Sequence, residues 1–513
     1  VAERKRQALE LLARWGEQNT NRALAILATG GDTAEAEKLL AVQSDYIRRR
    51  FDCSDFYLVY YPYILRTFGK RGSGILSEKT ENELTDCLLG FRYWIDEPGN
   101  DAMWFWSENH ALMFHTCQLL AGELFPDEVF TNSGLTGRQM QAKAKNMLYD
   151  WFVTFRKEGF TEWNSSPYLP IDTLGFGSLY AFAQDPAMRE LGREGMDFAY
   201  YLLAVHSQQG IFASSSGRTY IKEQFGNWSN CPSGLSWIGY GYGVPGHAGK
   251  GITSYCLSDY EPPKEFAQWF SIPRGKEMIC QTTQGNDGYV DLYTYKTADY
   301  MMTSANDFHP GEPGHQENPF QLTFNAVAQL WVTHPGERVL FGAARPSYWA
   351  GNGTLPKVNQ YKAFAGLIYD IAPEHPVDFT HLYLPSMEFD RCEVEGKWAF
   401  VQLGSAYAAV YCSNGMRMQD FGSNKDRECI AEGRRCIWLV RAAQADEFAA
   451  FEDFKAAMRG AALDADAEGR RYRFVDPVYG ELRCQWGETL YVNDAPMQYS
   501  GFDNYGKLTM QEK

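Results

Sequence analysis

Several signals that point directly to a function are missing from this chain of 513 residues. None of its 11 cysteines forms a C-x-x-C pair, so the usual zinc-finger and thiol redox motifs are unsupported. There is no Walker A sequence, no G-x-G-x-x-G after a strand and no G-x-S-x-G elbow. Nucleotide-binding and α/β-hydrolase sites are therefore not indicated. Uninterrupted apolar runs of about 18 residues are also missing, so no membrane span is expected.

Basic residues are fewer than acidic residues in this chain. The chain has 48 Lys and Arg against 64 Asp and Glu, a net charge of −16. Such a balance argues against nucleic-acid partners, because a basic face supplies most of their affinity. It does not forbid an anionic substrate, since a local cluster of Arg, Asn and His can act within an acidic surface.

The cellular compartment is indicated only by opposing signals. Scattered cysteines are typical of free thiols in a reducing compartment. Against this, the triplets that begin at Asn164, Asn227 and Asn352 match the glycosylation pattern. The chain begins "VAERKRQALELLARW", which predicts an amphipathic helix without the apolar core of a signal peptide. We expect a cytoplasmic protein, with secretion or a periplasmic location left open if a signal has been removed.

The hydrophobic pattern changes half-way along the chain. Segments such as "TAEAEKLLAVQSDYIRRRF" and "ENHALMFHTCQLLAGELF" carry apolar residues at three- and four-residue spacing, as helices do. Runs such as "KWAFVQLGSAYAAVYC" are instead typical of antiparallel strands. We therefore predict an α+β chain, with a domain of helical hairpins over residues 1–270 and an antiparallel β-sheet domain over residues 271–513. The Gly-, Ser- and aromatic-rich stretch 214–254 predicts an ordered, functional loop.

A first candidate site is "SENH", residues 107–110, at the start of a predicted helix. Helix capping explains Ser107 and, near the positive end of the helix dipole, Glu108. It does not explain Asn109 and His110 in a stretch that also contains Trp106. Both a buried, structural histidine and a site that holds a carboxylate remain open here.

Three further stretches hold candidate residues. The loop "GFTEWNSSPYLPID" contains Glu162, Trp163, Asn164, Tyr168 and Asp172, and an aromatic ring there can stack on a sugar. The alternative is a polar turn with Tyr168 packed against the core. A second loop places Arg218, a rigid donor for carboxylate or sulfate, near Tyr220; a surface ion pair is the alternative.

The last stretch, "NDFHPGEPGHQENPFQ", contains His309, Glu312, His315, Gln316 and Glu317. The spacing of its histidines, broken by prolines, is not a standard metal-ligand pattern. We predict no metal and no cofactor, and expect a loop that reaches into a cleft.

Together these features resemble the polysaccharide lyases of the (α/α) toroid class, with heparinase II/III-like and related alginate lyases as the comparison. The resemblance covers most of the chain in architecture, but in residues only "ENH" and the tyrosine-bearing loop. It implies an (α/α) toroid followed by a β-sandwich, and cleavage of a uronate-containing glycan by β-elimination. It also implies Asn109 as the group that neutralises the uronate carboxylate, His110 as base or co-neutraliser, and Tyr168 as acid or base.

Chemistry alone adds further residues to the expected site. Tyr220 is a further catalytic candidate, and the expected substrate contacts are Trp106, Glu108, Glu162, Trp163, Arg218, His315 and Glu317. A proton beside an ionised carboxylate is weakly acidic, and one preorganised donor aimed at that carboxylate is worth about 3 kcal/mol. The expected partner is an oligo- or polysaccharide, and the oligomeric state is left open.

Two other interpretations remain. Carboxylates near the site would repel a uronate, so an inverting glycoside hydrolase is the first alternative. It would use a pair about 6.5–9.5 Å apart, drawn from Glu108, Glu162, Asp172 and Glu317. A non-catalytic carbohydrate-binding protein is the second, because 14 Trp and 31 Tyr supply stacking surfaces.

Overall fold

The structure is a computed structural model, and it describes residues 1–225, 231–245, 251–285 and 289–513. The chain divides into two compact units. Unit 1 comprises Val1–Lys157, Pro167–Leu203 and Ser229–Ala267. Unit 2 comprises Glu158–Ser166, Ala204–Trp228 and Gln268–Lys513. The predicted boundary at residue 270 stays a prediction. The triplet at Asn227 lies outside the described residues.

Helices make up most of the chain before residue 271. In chain order they are α1 (Ala2–Trp15), α2 (Thr20–Ala28), α3 (Thr33–Arg48), α4 (Asp55–Leu58), α5 (Tyr61–Phe68), α6 (Glu78–Gly90), α7 (Glu108–Leu124), α8 (Gly137–Glu158), α9 (Leu169–Phe182), α10 (Pro186–Val205), α11 (Ile221–Gln224), α12 (Cys231–Tyr240), α13 (Ile252–Cys256) and α14 (Ala267–Phe270). Helix α15 (Phe451–Gly460) lies among the strands. No described helix combines the length and apolarity that crossing a bilayer requires.

Helices α7 and α9 form the centre of unit 1. Both are buried on nearly every side, although α7 also buries polar side chains such as His115 and Gln118. They contact each other closely, since a Cβ added at Gly175 would lie 2.7 Å from the Leu112 side chain. The segment 54–68 is divided into α4 and α5. Pro62 lies in the first turn of α5, where its missing N–H costs least.

Strands follow from residue 276 onward. They are β1 (Lys276–Gln284), β2 (Val290–Lys296), β3 (Met301–Asn306), β4 (Phe320–Thr323), β5 (Gln329–Thr333), β6 (Lys357–Tyr361), β7 (Phe364–Asp370), β8 (Phe379–Tyr383), β9 (Arg391–Glu395), β10 (Trp398–Leu403), β11 (Ala406–Cys412), β12 (Arg417–Met418), β13 (Glu428–Glu432), β14 (Arg435–Gln444), β15 (Leu463–Asp466), β16 (Arg471–Asp476), β17 (Gly480–Gln485), β18 (Tyr491–Val492), β19 (Ala495–Pro496) and β20 (Lys507–Glu512).

The strands form three antiparallel sheets. A nine-stranded sheet has the order β12-β13-β8-β5-β4-β3-β2-β1-β20, a six-stranded sheet β6-β7-β14-β11-β10-β9, and a five-stranded sheet β15-β16-β17-β18-β19. Side chains from the first two, such as Leu330 and Leu439, belong to one hydrophobic core. The predicted order of helices followed by antiparallel strands is confirmed.

Two of the glycosylation triplets begin at buried asparagines, Asn164 and Asn352. Asn352 is fully buried, and its side-chain oxygen accepts hydrogen bonds from His334 N at 2.9 Å and from the Tyr369 hydroxyl at 3.1 Å. A side chain held in this way cannot carry a glycan in the folded protein. These triplets therefore give no support to secretion.

Candidate active site

Three segments of unit 2 meet beside the nine-stranded sheet: 162–166, 214–224 and 315–321. Ser216 N donates to Asn318 O at 2.8 Å, and Asn318 N donates to Ser216 O at 2.7 Å. This pair of backbone hydrogen bonds is an isolated antiparallel bridge. It fixes the register of the second segment against the third.

Further hydrogen bonds tie the same segments together. Thr219 N donates to Gln316 O at 3.1 Å, and the Gln316 side-chain amide donates back to Thr219 O at 2.8 Å. Gly217 N donates to Trp163 O at 2.8 Å. A Cβ at Gly217 would lie 2.5 Å from the indole nitrogen of Trp163, so only glycine allows this approach.

Arg218 and Tyr220 lie in the second segment, which the sequence predicted to be functional. The Arg218 guanidinium is 3.6 Å from the Glu162 carboxylate. Its Cζ is 5.9 Å from the centre of the Tyr220 ring, and Cζ of the exposed Arg345 is 5.6 Å from the same centre. Two guanidinium groups and a half-buried phenol therefore lie together in unit 2.

His315 belongs to the same cluster. Burial lowers the pKa of its imidazole, and the positive charges of Arg218 and Arg345 lower it further, against the opposing effect of Glu317. The backbone N–H of His315 donates to the Glu317 carboxylate. The pKa of His315 lies below its ordinary value, so the neutral imidazole predominates at neutral pH and can accept a proton. The side chain is exposed.

A small polar cavity lies at the junction of these segments. It is lined by Asn164, Ser166, Phe212, Ala213, Ser214, Ser216, Thr219, Glu223, Gln224 and Gln321, all residues of unit 2. Gln321 is fixed there, since its carbonyl oxygen accepts from the Asn318 amide at 3.0 Å and the Gln224 amide at 3.3 Å. The cavity is thus bounded by an ordered network of amides and hydroxyls.

Asn164 is the unusual member of the cavity lining. Its side chain is 3% exposed, and neither polar atom of its amide has a hydrogen-bond partner among the described residues. Its φ of +48° is left-handed, a conformation that Asn adopts more readily than most residues. An unpaired buried amide costs about 1–3 kcal/mol, so this side chain is suited to bind a polar group that enters the cavity.

Asn109 and His110, the pair that first suggested a site, lie in unit 1 at the start of α7. They are 1% and 7% exposed. The His110 ring stacks on Phe56, with centroids 4.7 Å apart, and its Nδ1 is 2.9 Å from Oδ2 of the buried Asp55. Burial alone lowers the pKa of His110, but the Asp55 carboxylate outweighs that effect and raises the pKa to about 10.

The roles expected for Asn109 and His110 stay a prediction. The contact with Asp55 and the stacking on Phe56 hold the His110 imidazole within the packing of unit 1. Asn109, His110 and Tyr168 belong to unit 1, and none of them lines the cavity described above. Half-buried Tyr168 is instead the residue that precedes α9, at its N-cap.

The remaining predicted residues have varied surroundings. The Trp163 ring is buried against Phe308 and strands of the sheet, so it offers no face to a sugar, contrary to expectation. Trp106 is 60% exposed and contacts Trp104 at a centroid distance of 4.6 Å, which fits an aromatic surface. Glu108 is half-buried in the first turn of α7, and its backbone carbonyl accepts from the indole of Trp151.

His309 and Asp172, two more residues from the candidate stretches, are placed differently. His309 Nδ1 lies 3.4 Å from the Glu312 carboxylate. Asp172 is buried in the first turn of α9. Neither residue lines the cavity of unit 2.

Comparison with known proteins yields structural neighbours only. No protein-family model and no curated protein matches the chain. One solved structure, a crystal structure of heparinase III, aligns with a TM-score of 0.43 and 8% identity over 92% of this chain and 81% of that one. Another heparinase III aligns with a TM-score of 0.39 and 10% identity, over 96% of this chain and 83% of that one.

Proposed function

We propose that this protein is a polysaccharide lyase that cleaves a uronate-containing glycan by β-elimination, with its reacting groups in unit 2. The observation that carries the proposal is the cluster of Arg218, Arg345, Tyr220 and His315. It combines two guanidinium groups, a phenol and an imidazole with a lowered pKa. Elimination next to a carboxylate needs cations for the carboxylate, a base and an acid, and this cluster supplies all three.

The guanidinium groups and the Asn164 amide bind and neutralise the carboxylate. Arg offers a planar pair of donors that matches a carboxylate, and two such groups stabilise the enolate-like charge that forms when the C5 proton leaves. The Asn164 amide is buried and has no hydrogen-bond partner among the described residues, so its N–H group breaks no hydrogen bond within that part of the chain when it donates to a substrate. Preorganised donors of this kind make the largest electrostatic contribution to catalysis.

His315 and Tyr220 divide the proton transfers between them. The neutral imidazole of His315 removes the proton at C5, and the electron pair of that C–H bond forms the C4–C5 double bond as the C4–O bond breaks. The Tyr220 hydroxyl gives its proton to the departing glycosidic oxygen. Solvent then returns the proton from the imidazolium to the phenolate, and the site is restored.

The acidic residues near the site are already engaged. Glu162 pairs with Arg218 at 3.6 Å, Glu317 accepts from the backbone of His315, and Glu223 lies 3.2 Å from Lys222. Their negative charge is therefore partly compensated and repels a uronate less than isolated carboxylates would. An inverting glycoside hydrolase needs a carboxylic acid on one side of the glycosidic bond and a free carboxylate on the other. The paired carboxylates of Glu162, Glu223 and Glu317 support that arrangement less well.

The proposal extends to the architecture of the two halves of the chain and to the cellular location. We propose that the helical hairpins form an (α/α) toroid, and that the two large sheets, which share a hydrophobic core, form a β-sandwich. We also propose a reducing, cytoplasmic location, with an oligo- or polysaccharide as the partner. The Sγ atoms of Cys412 and Cys436 are 3.3 Å apart, close enough for a disulfide to form in an oxidising compartment. The mass of the protein isolated without reductant therefore tests the location. A disulfide between these two residues contradicts a reducing, cytoplasmic one.

The direct test of activity is a screen of uronate polymers for an ultraviolet-absorbing, unsaturated product. A lyase produces that absorbance together with new reducing ends, because each elimination leaves a C4–C5 double bond. New reducing ends without absorbance indicate the hydrolase, and binding without turnover indicates the carbohydrate-binding protein. Tyr220→Phe and His315→Gln are expected to abolish the absorbance while the protein remains folded.

A further inference from the structure

A second cluster of reactive side chains lies in unit 1 and has no part in the proposed elimination. Asp52, Cys53 and His110 each offer one ligand atom, and these three atoms lie within 4.8 Å of one another. Within the described parts of the chain, this is the group of His, Cys, Asp and Glu side chains close enough to hold a metal ion. His309 and His315 are not part of this group.

His110 is oriented as a metal-binding histidine is. Its Nδ1 lies 2.9 Å from Oδ2 of Asp55, which is fully buried, and its ring is nearly parallel to that of Phe56, with an interplanar angle of 12°. A histidine that binds a metal through one nitrogen almost always hydrogen-bonds a carboxylate or carbonyl through the other. The contact with Asp55 leaves Nε2 as the nitrogen available to a cation.

The other two groups are held by the chain around them. The Trp104 backbone N–H donates to the Asp52 carboxylate at 3.0 Å, and the Tyr46 hydroxyl donates to Asp52 O at 2.6 Å. Cys53 is half-buried and directly precedes the short turn that leads into α4. The Asp52 carboxylate is thus held by a contact that does not depend on a metal, and the Cys53 thiol and the His110 ring lie within reach of it.

We propose that Asp52, Cys53 and His110 bind one zinc ion, with Asp55 as the carboxylate that orients the histidine. Thiolate and imidazole ligands select zinc over magnesium and calcium, which prefer oxygen. Zinc–ligand distances of about 2.0–2.3 Å in a tetrahedron require the ligand atoms to approach one another by about 1 Å. Three protein ligands leave the fourth position to water. The ion would join the segment before α4 to the start of α7, within unit 1.

The test uses the full chain, freed of metal with a chelator and then titrated with cobalt(II), a spectroscopic substitute for zinc. We expect one cobalt ion per chain and a thiolate-to-cobalt charge-transfer band in the ultraviolet, both displaced by zinc. Cys53→Ser should abolish the band. Cys392→Ser is the matched control, because Cys392 is also half-buried but lies in unit 2, and it should keep the band.

A second variant separates positioning from ligation. Asp55→Asn keeps all three ligands but weakens the orientation of His110, so zinc affinity should fall by about 10- to 100-fold while the thiolate band is retained. Zinc should also raise the melting temperature of the wild type and not that of Cys53→Ser, since only a protein that binds the ion is stabilised by it. Two results would overturn the proposal: cobalt binding without a thiolate band, or equal zinc affinity in the wild type and Cys53→Ser. None of these measurements depends on lyase activity.

Discussion

Replacing Asn164 should separate catalysis from stability. The proposed lyase uses the amide of this residue to hold the uronate carboxylate, yet in the protein alone that amide is buried and has no partner among the described residues. Removing it should therefore damage turnover while leaving the fold intact. A buried polar group that does form hydrogen bonds would not allow this separation, because its removal also weakens the structure.

The size of each effect follows from the surroundings of Asn164. Loss of one preorganised donor lowers kcat by about 10²–10³-fold. For stability, Asn164→Ala removes an unsatisfied polar group that costs about 1–3 kcal/mol. It also puts alanine at a φ of +48°, which costs about 1–2 kcal/mol. These opposing terms leave a net change near zero, so the melting temperature should move by no more than about 2–4 °C.

Two companion variants sharpen the test. Asn164→Gly avoids the backbone penalty of alanine and should match Asn164→Ala in kcat while being at least as stable. Asn164→Asp keeps the shape but replaces the donor with a negative charge that repels the uronate, so it should be the least active of the three. The assay is the initial rate of ultraviolet-absorbing product on a uronate polymer, with kcat and KM determined separately. Wild-type kcat in Asn164→Ala, or a loss of activity that follows a loss of folded protein, would show that the amide of Asn164 does not take part in turnover.

The remaining predictions concern protons. The acid limb of the pH–rate profile should follow His315, whose activity as a base is lost as the pH falls through its lowered pKa. Glu317→Gln removes a negative charge that raises the pKa of His315, so the acid limb should move to lower pH. Arg345→Gln removes a positive charge that lowers this pKa, so the limb should move to higher pH. Unchanged profiles in both variants would show that His315 is not the base. Tyr220→Phe should lower kcat by about 10²–10⁴-fold, whereas Tyr168→Phe should stay close to the wild type. If Tyr168→Phe loses activity and Tyr220→Phe does not, then Tyr168, the tyrosine that the family resemblance suggested, is the catalytic one.

The fold was largely predictable from the sequence because periodicity is a local property. The three- and four-residue spacing in "TAEAEKLLAVQSDYIRRRF" gave α3, and the alternation in "KWAFVQLGSAYAAVYC" gave β10 and β11. The short strands at the ends of the sheets were harder to predict. Strand β12, for example, has only the residues Arg417 and Met418, and so short an element depends on pairing with β13 rather than on its own pattern.

The site was less predictable, because what distinguishes its residues is the presence or absence of tertiary partners. Asn109 and His110 resemble a catalytic pair when read along the chain, and only the structure shows that the His110 imidazole lies 2.9 Å from the buried Asp55 carboxylate. Asn164 stands in a polar turn like many others, and its importance arises from an amide that has no partner in the part of the chain that the structure describes. A single sequence records which groups are present. Whether their hydrogen-bonding capacity is already used or remains free for a substrate is decided by residues far away in the chain, so a site built from free capacity cannot be predicted from local patterns.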